Sequence, residues 1–227
     1  MIMAMAVLSV VLFSCVREEM TCDKELIVVQ RIGEGGYVYT RGTVISSNTD
    51  LKEETFGLYG SLTPNASVPQ PYFNASATVN ADLTATISPL QYWPGLLNAS
   101  MKFFSWYPYS DANAPTASFI DPGEMVLNYT ANESAANHVD VLAAISGPVW
   151  VEGVNIHFYH TLTKVTFTFK KVAPVPDVVT IEKIEFQNVG KSGNLAMTEI
   201  PTTTTNNGIP MFVWSEVATG RGAAPPP

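Results

Sequence analysis

His157, His160 and Lys164 are the residues whose types and spacing come nearest to a reactive constellation. Paired imidazoles can hold a divalent cation, and a histidine near a lysine can pass protons at a substrate. Three positions apart on an extended strand, though, His157 and His160 point to opposite faces, and only a bulge between them would bring both to one ion. His138 is the one other histidine and no cysteine stands nearby, so the spacing argues against a metal site. His160 and Lys164 are better suited to fixing a bend in a strand through hydrogen bonds to backbone, because nothing near them in the sequence supplies a nucleophile.

Other reactive residue types lack the context that chemistry needs. Glu53-Glu54 has nothing around it that marks a glycosidase carboxylate pair, and Gly33-Glu34-Gly35-Gly36 lacks the flanking lysine and helix of a phosphate loop. A nucleophile elbow, an H-E-x-x-H helix and a calcium loop are all missing from the sequence. These residues point away from an enzyme and call for no cofactor. A net charge of −8 without any basic run repels a phosphate backbone, which excludes nucleic acid as a partner. The two cysteines, Cys15 and Cys22, lie close together near the start, so neither a disulfide scaffold nor a cysteine zinc site is available. Five Asn-x-Ser/Thr triplets, at Asn65, Asn74, Asn98, Asn128 and Asn132, read as polar turns.

Aromatic rings are concentrated in Tyr92-Trp93-Pro94 and in Phe103-Phe104-Ser105-Trp106-Tyr107-Pro108-Tyr109. Strand alternation sends Phe103, Ser105 and Tyr107 to one face and Phe104 and Trp106 to the other. Core packing accounts for most of these rings. The alternative is a binding face in which Trp93 and Trp106 stack on a sugar of a host or bacterial surface ligand, or meet another subunit.

The elements that must position these residues are strands. Runs rich in β-branched and aromatic residues occupy 25–32, 37–45, 56–59, 77–87, 101–107, 139–145, 154–170 and 178–188, and no helical period is sustained over three turns. Turn chemistry separates them at 33–36, 63–65, 69–71, 111–115, 121–123, 174–177 and 190–193. The pattern predicts an all-β protein, an antiparallel β-sandwich. Within 154–170 the apolar parity changes, from Val154, Ile156 and Phe158 to Val165, Phe167 and Phe169, which predicts a bulge or turn within His160 to Lys164. A similar change separates Val179 and Ile181 from Ile184 and Phe186. Beyond Pro201 a threonine tract and a Gly/Ala/Pro tail predict weakening order.

Residues 1–14, MIMAMAVLSVVLFS, are apolar, uncharged and too short to span a bilayer as a helix, as in a secretory signal. Leu12-Phe13-Ser14-Cys15 resembles the lipobox of bacterial lipoproteins, which would make lipidated Cys15 the first mature residue. Phe13 is bulkier than such a box usually takes, and no Lys or Arg precedes the apolar run, so a start upstream of Met1 is expected. Two other fates are open to Cys15, a place in a buried element or a disulfide with Cys22. Val16-Arg17-Glu18-Glu19 resembles the signal that sends some Bacteroidota lipoproteins to the outer face of the outer membrane. On this reading 1–14 is a signal peptide, 15–24 a tether, 25–200 the N-terminal sandwich domain, and 201–227 a linker and the start of an incomplete second domain.

Taken in order, Cys15, Thr40-Arg41-Gly42, Phe56-Gly57-Leu58-Tyr59-Gly60, Tyr92-Trp93-Pro94, the Phe103 to Pro108 segment and Phe158-Tyr159-His160-Thr161-Leu162-Thr163-Lys164-Val165 resemble the fimbrillin-like (Mfa-like) family of Bacteroidota. That resemblance implies two transthyretin-like sandwich domains, of which this chain holds the first. It also implies a lipid-anchored pilus subunit or pilus-associated adhesin at the cell surface. In pilins of that family a protease cuts after an arginine near the N-terminus and frees a strand, and a neighbouring subunit's strand fills the groove, a form of β-strand addition. Arg41, between two strand-like runs, best fits the cut position and Arg31 is the second choice; either could instead be an ordinary surface arginine. The partners implied are other fimbrial subunits, and outer-membrane lipid through Cys15.

Overall fold

The structure, a computed structural model, describes residues 25–34, 45, 47–121, 123–134, 137–150, 153–162, 167–170, 180–184, 190–198, 204–205, 209–210, 212 and 214–216. The described residues form thirteen strands and a 3-10 turn at Pro64–Ala66, with no α-helix among them. Numbered in chain order, the strands are β1 (Val29–Glu34), β2 (Thr55–Thr63), β3 (Gln70–Val79), β4 (Ala85–Ser88), β5 (Ser100–Tyr107), β6 (Thr116–Asp121), β7 (Glu124–Thr130), β8 (Leu142–Val149), β9 (Val154–His160), β10 (Ser192–Met197), β11 (Thr204–Thr205), β12 (Ile209–Pro210) and β13 (Trp214–Glu216). Seven of them close into a barrel in the order β1-β4-β3-β2-β5-β8-β9. A four-stranded sheet, β13-β10-β7-β6, and the small β11-β12 ribbon complete the described strands.

Burial along each strand explains this arrangement. In β3 and β9 apolar and polar residues alternate, with Phe73, Ala75, Ala77 and Val79, and then Val154, Ile156 and Phe158, turned inward. Such strands have one buried face. By contrast, β2 and β5 bury nearly every residue, so both of their faces are covered. Phe103 and Tyr107 join the barrel interior with Phe56, Leu58 and Phe158, whereas Phe104 and Trp106 pack outward. On that outer side they meet Met125 and Leu127 of β7 and Leu195 and Met197 of β10. The wall formed by β2, β5 and β8 is therefore shared between two cores. The alternation expected for Phe103 to Tyr107 is the one observed.

Several sequence expectations change in the structure. The main sheet does not stay open as in the expected sandwich; it curls round and closes through a parallel pair between β1 and β9. The run at 77–87 is two strands joined by a turn, in which Asp82 Oδ1 accepts from the backbone N–H and the hydroxyl of Thr84. Asx geometry of this kind turns a chain that is otherwise rich in strand formers. Pro71 lies within β3 and Ser192-Gly193 within β10, although both neighbourhoods carry turn residues. The long run from Val154 stops at His160 and bends at Leu162, inside the interval where a break is expected. Beyond it, residues 167–170 and 180–184 lie outside any strand, and Phe167, Phe169, Ile181 and Ile184 are exposed. Phe212 is buried in the outer core, and β13 pairs with β10.

Tyr59 carries one local conflict. Its hydroxyl is the single buried side-chain polar atom without a hydrogen-bond partner among the described residues. Burial also raises the phenol's pKa above its ordinary value. Leaving a polar group unpaired costs about 1–3 kcal/mol. Tyr59→Phe, which keeps the ring against Phe104 and Phe119, is accordingly expected to raise the urea midpoint; a lower midpoint would show that the hydroxyl has a partner.

Candidate functional site

The N-terminal strand is the element on which barrel closure depends. β1 lies between β4 and β9. Val29 and Ile32 are fully buried in the barrel interior, while Gln30 and Arg31 between them are both exposed, because an irregularity between Val29 and Arg31 interrupts the strand's alternation. Ile27, just ahead of the strand, is buried with them. Pairing with β9 runs from Val29↔Val154 to Glu34↔Phe158, with an irregularity between Val29 and Arg31. Against β4 the ladder is reduced to Val29↔Ala85, extended by Ile32 N–H donating to Leu83 O at 2.8 Å and Ile27 N–H donating to Gln91 O at 2.9 Å. β1 is thus held firmly on one side and sparsely on the other.

Arg31 lies in the middle of this strand, where a cut would leave Ile32 behind in the wall. Arg41, Cys15 and Lys164 lie outside the described residues. Where the chain is described again, Ile45 is buried, and its N–H donates to Asp140 Oδ2 at 3.3 Å. The other oxygen, Asp140 Oδ1, is 3.0 Å from His160 Nδ1, and both side chains are only 1% exposed. Thr161 continues the same join, with its N–H and hydroxyl both donating to Val141 O. Trp214 Nε1 in turn donates to Thr161 O at 2.6 Å. His160 thus ties the end of β9 to the segment before β8, which in turn holds the chain at Ile45. His160 stands at the end of its strand, where the sequence predicts a contact to backbone and the structure shows one to the Asp140 carboxylate.

Beside this pair, Glu54, Tyr107, Pro108, Asp111, His138, Val139 and Asp140 line a cavity of about 200 Å³. Tyr107 Oη donates to Glu54 Oε2 at 3.0 Å. Burial first, and the neighbouring Glu54 carboxylate second, push the phenol's pKa well above its ordinary value. Tyr107 is then a neutral donor rather than a base. Because its pKa is raised on folding, its contribution to stability is complete below the free tyrosine value of about 10 and is lost as pH rises above it. Urea midpoints measured on the alkaline side should fall with pH, and Tyr107→Phe should flatten that fall; an unchanged slope would assign it to another group. His157 is exposed on the opposite face of β9 from the buried His160 side chain. Among the described residues no three His, Cys, Asp or Glu side chains gather as a cation site.

The aromatic pair Trp93 and Trp106 is buried rather than displayed. Trp93 packs edge-on to Phe103 in the barrel interior, with ring centroids 6.1 Å apart. Trp106 lies in the outer core against Phe119 and Tyr109. A Cβ at Gly57 would collide with the Trp106 ring, so the glycine makes room for it. The two indoles occupy different cores and share no exposed face: alternation along β5 turns Trp106 to the outer core, and Trp93, in the connection between β4 and β5, packs into the barrel interior. Asp140 is the functional residue that sequence reading misses, since a lone aspartate carries no motif. Its position just before an apolar run is the only available signal.

Comparison with known families adds to this geometry: the profile of the fimbrillin-like family matches residues 40–221, a span that begins after β1 has ended. No curated protein and no solved structure matches the chain. With most of its length matched, the chain belongs to the fimbrillin-like family, a family of structural pilins.

Proposed function

We infer that the chain is a fimbrial subunit or pilus-associated adhesin that joins its neighbours by strand exchange after cleavage at Arg41. The observation that carries this reading is the position of β1. It closes the barrel wall, it is bound to β4 by a minimal ladder, and it precedes Arg41 in the chain. Cleavage after Arg41 would free β1 whole, whereas cleavage at Arg31 would split it. The hydrogen bond from Ile45 to Asp140 would keep the new N-terminus fastened to the body.

Loss of β1 would expose the inward edges of β4 and β9 and empty the positions of Ile27, Val29 and Ile32. Burial of each such aliphatic side chain is worth roughly 1.5–3 kcal/mol, so an empty groove favours refilling by another strand. Before cleavage, lipid on Cys15 would hold the precursor at the outer membrane, facing the cell exterior. Mass spectrometry of the surface form tests the reading. A mature N-terminus at Gly42 is expected; a chain still beginning at lipidated Cys15 rejects processing and assigns an anchor or tip role.

A further inference from the structure

The two ends of the barrel differ sharply in chemistry. Leu62 pairs with Gln70, Thr63 with Ser100, Met101 with Val149 and Val29 with Val154, so these register positions lie at one end. That end collects the start of β1 and the β2–β3, β4–β5 and β8–β9 connections. It also displays Leu26, Leu90, Tyr92, Leu96, Leu97 and Trp150, with Leu97 87% and Trp150 57% exposed. From Thr55 to Met101 the only charged residue is Asp82, and it sits in the β3–β4 turn at the opposite end. Lys52, Glu53, Glu54 and Asp140 lie at that opposite end as well, beside the start of β2 and of β8. One end therefore gathers the exposed apolar side chains, with Glu25 and Lys102 beside them, and the other gathers Lys52, Glu53, Glu54, Asp82 and Asp140.

The apolar end is also where the N-terminal segment joins the fold. Glu25 O accepts from Trp93 N–H at 2.8 Å, Leu26 bridges Tyr92, and Tyr72 Oη donates to Tyr92 O, which fixes this join. Cys15 is ten residues away, and ten residues reach at most about 35 Å when fully extended. A lipid on Cys15 would hold this end, and not the charged one, next to the headgroups.

We propose that the apolar end is a membrane-docking surface, on which the lipid-bearing chain rests at the bilayer interface; this rests on the reading that Cys15 is lipidated. Exposed leucines gain by leaving water, and Tyr and Trp rings favour the headgroup level. A lipid chain alone gives only reversible attachment, which a second apolar contact strengthens. With a net charge of −8 the protein gains nothing from anionic lipid, so the contact is apolar and insensitive to salt.

The test uses the uncut, lipid-bearing full chain in phosphatidylcholine vesicles, with an environment-sensitive fluorophore on Leu97→Cys or, at the charged end, on Asp82→Cys, both in a Cys22→Ser background. Mass spectrometry first confirms lipid on Cys15. The expected result is a blue-shifted emission at position 97 that brominated phosphatidylcholine quenches and salt leaves unchanged, with aqueous emission at position 82. Lipid on Cys15 with aqueous, unquenched emission at both positions overturns the docking surface while leaving the anchor intact. A chain without lipid on Cys15 overturns the anchor and the docking surface with it. A blue shift at position 97 that needs no vesicles and grows with protein concentration overturns the proposal by assigning this end to a second copy of the chain.

Discussion

Arg41→Ala is expected to leave the chain uncut at the cell surface and to abolish the detergent-stable ladders of assembled subunits. The reason is geometric. With β1 retained, Val29 and Ile32 fill the barrel interior, and the edges of β4 and β9 have their backbone groups paired. A donor strand from another subunit then finds neither a groove nor an open edge. Arg31→Ala should leave the ladders unchanged, because a cut at that position would strand Ile32 in the wall. Electrophoresis of unheated surface extracts from both variants decides the matter. Ladders that persist in Arg41→Ala would remove Arg41 from the mechanism, and ladders lost only in Arg31→Ala would exchange the two assignments.

The second large effect is expected at Asp140. Its carboxylate accepts from His160 Nδ1 and from Ile45 N–H in a site closed to solvent. Truncation to alanine would remove at once the carboxylate that accepts from a buried imidazole and from a buried backbone N–H. Breaking a buried pair from one side costs about 3–5 kcal/mol. In a protein of this size each kcal/mol lowers the melting temperature by about 2–4 °C, so Asp140→Ala should melt roughly ten degrees lower. Asp140→Asn keeps an acceptor for one of the two donors and should lose about half as much. Thermal unfolding followed by circular dichroism measures both. An Asp140→Ala variant as stable as the wild type would show that solvent or another acceptor replaces the carboxylate.

How far the sequence reaches can be followed through individual residues. Alternation places Phe103 and Tyr107 in one core and Phe104 and Trp106 in the other, because a strand has only two faces. Covalent pattern alone cannot say that the outer face is also covered. That depends on β7 and β10, whose residues lie far away in the chain. The turn at 121–123 is legible from Asp-Pro-Gly, and the alternation of Met125, Leu127 and Tyr129 after it marks β7. Interspersed Glu124 and Asn128 dilute this signal in any reading by apolar runs. Asp82 is the converse case, since its turn, at Asn80-Ala81-Asp82, is short and flanked on both sides by strand-favouring residues. The site shows the same division. His160 is legible as a residue at a strand break, but Asp140 becomes visible only when β8 and β9 stand side by side. Barrel closure was the least accessible feature, because a parallel pair between the first strand and the ninth leaves no local trace.

The partnership of β1 with β9 also sets an order of events. A chain made from its N-terminus carries β1 unpaired on that side until residue 154 and those after it have appeared. Contacts so distant in sequence form late, because a large loop must close before they can contribute. β2, β3 and β4, by contrast, follow one another in sequence and pair as neighbours through short connections. The seam between β1 and β9 is thus the last part of the barrel to be sewn, and the newborn chain passes through an open form in which β9 lacks its β1 partner. Whatever accompanies the nascent chain must shield that seam for a time, and the first strand to reach it is its own.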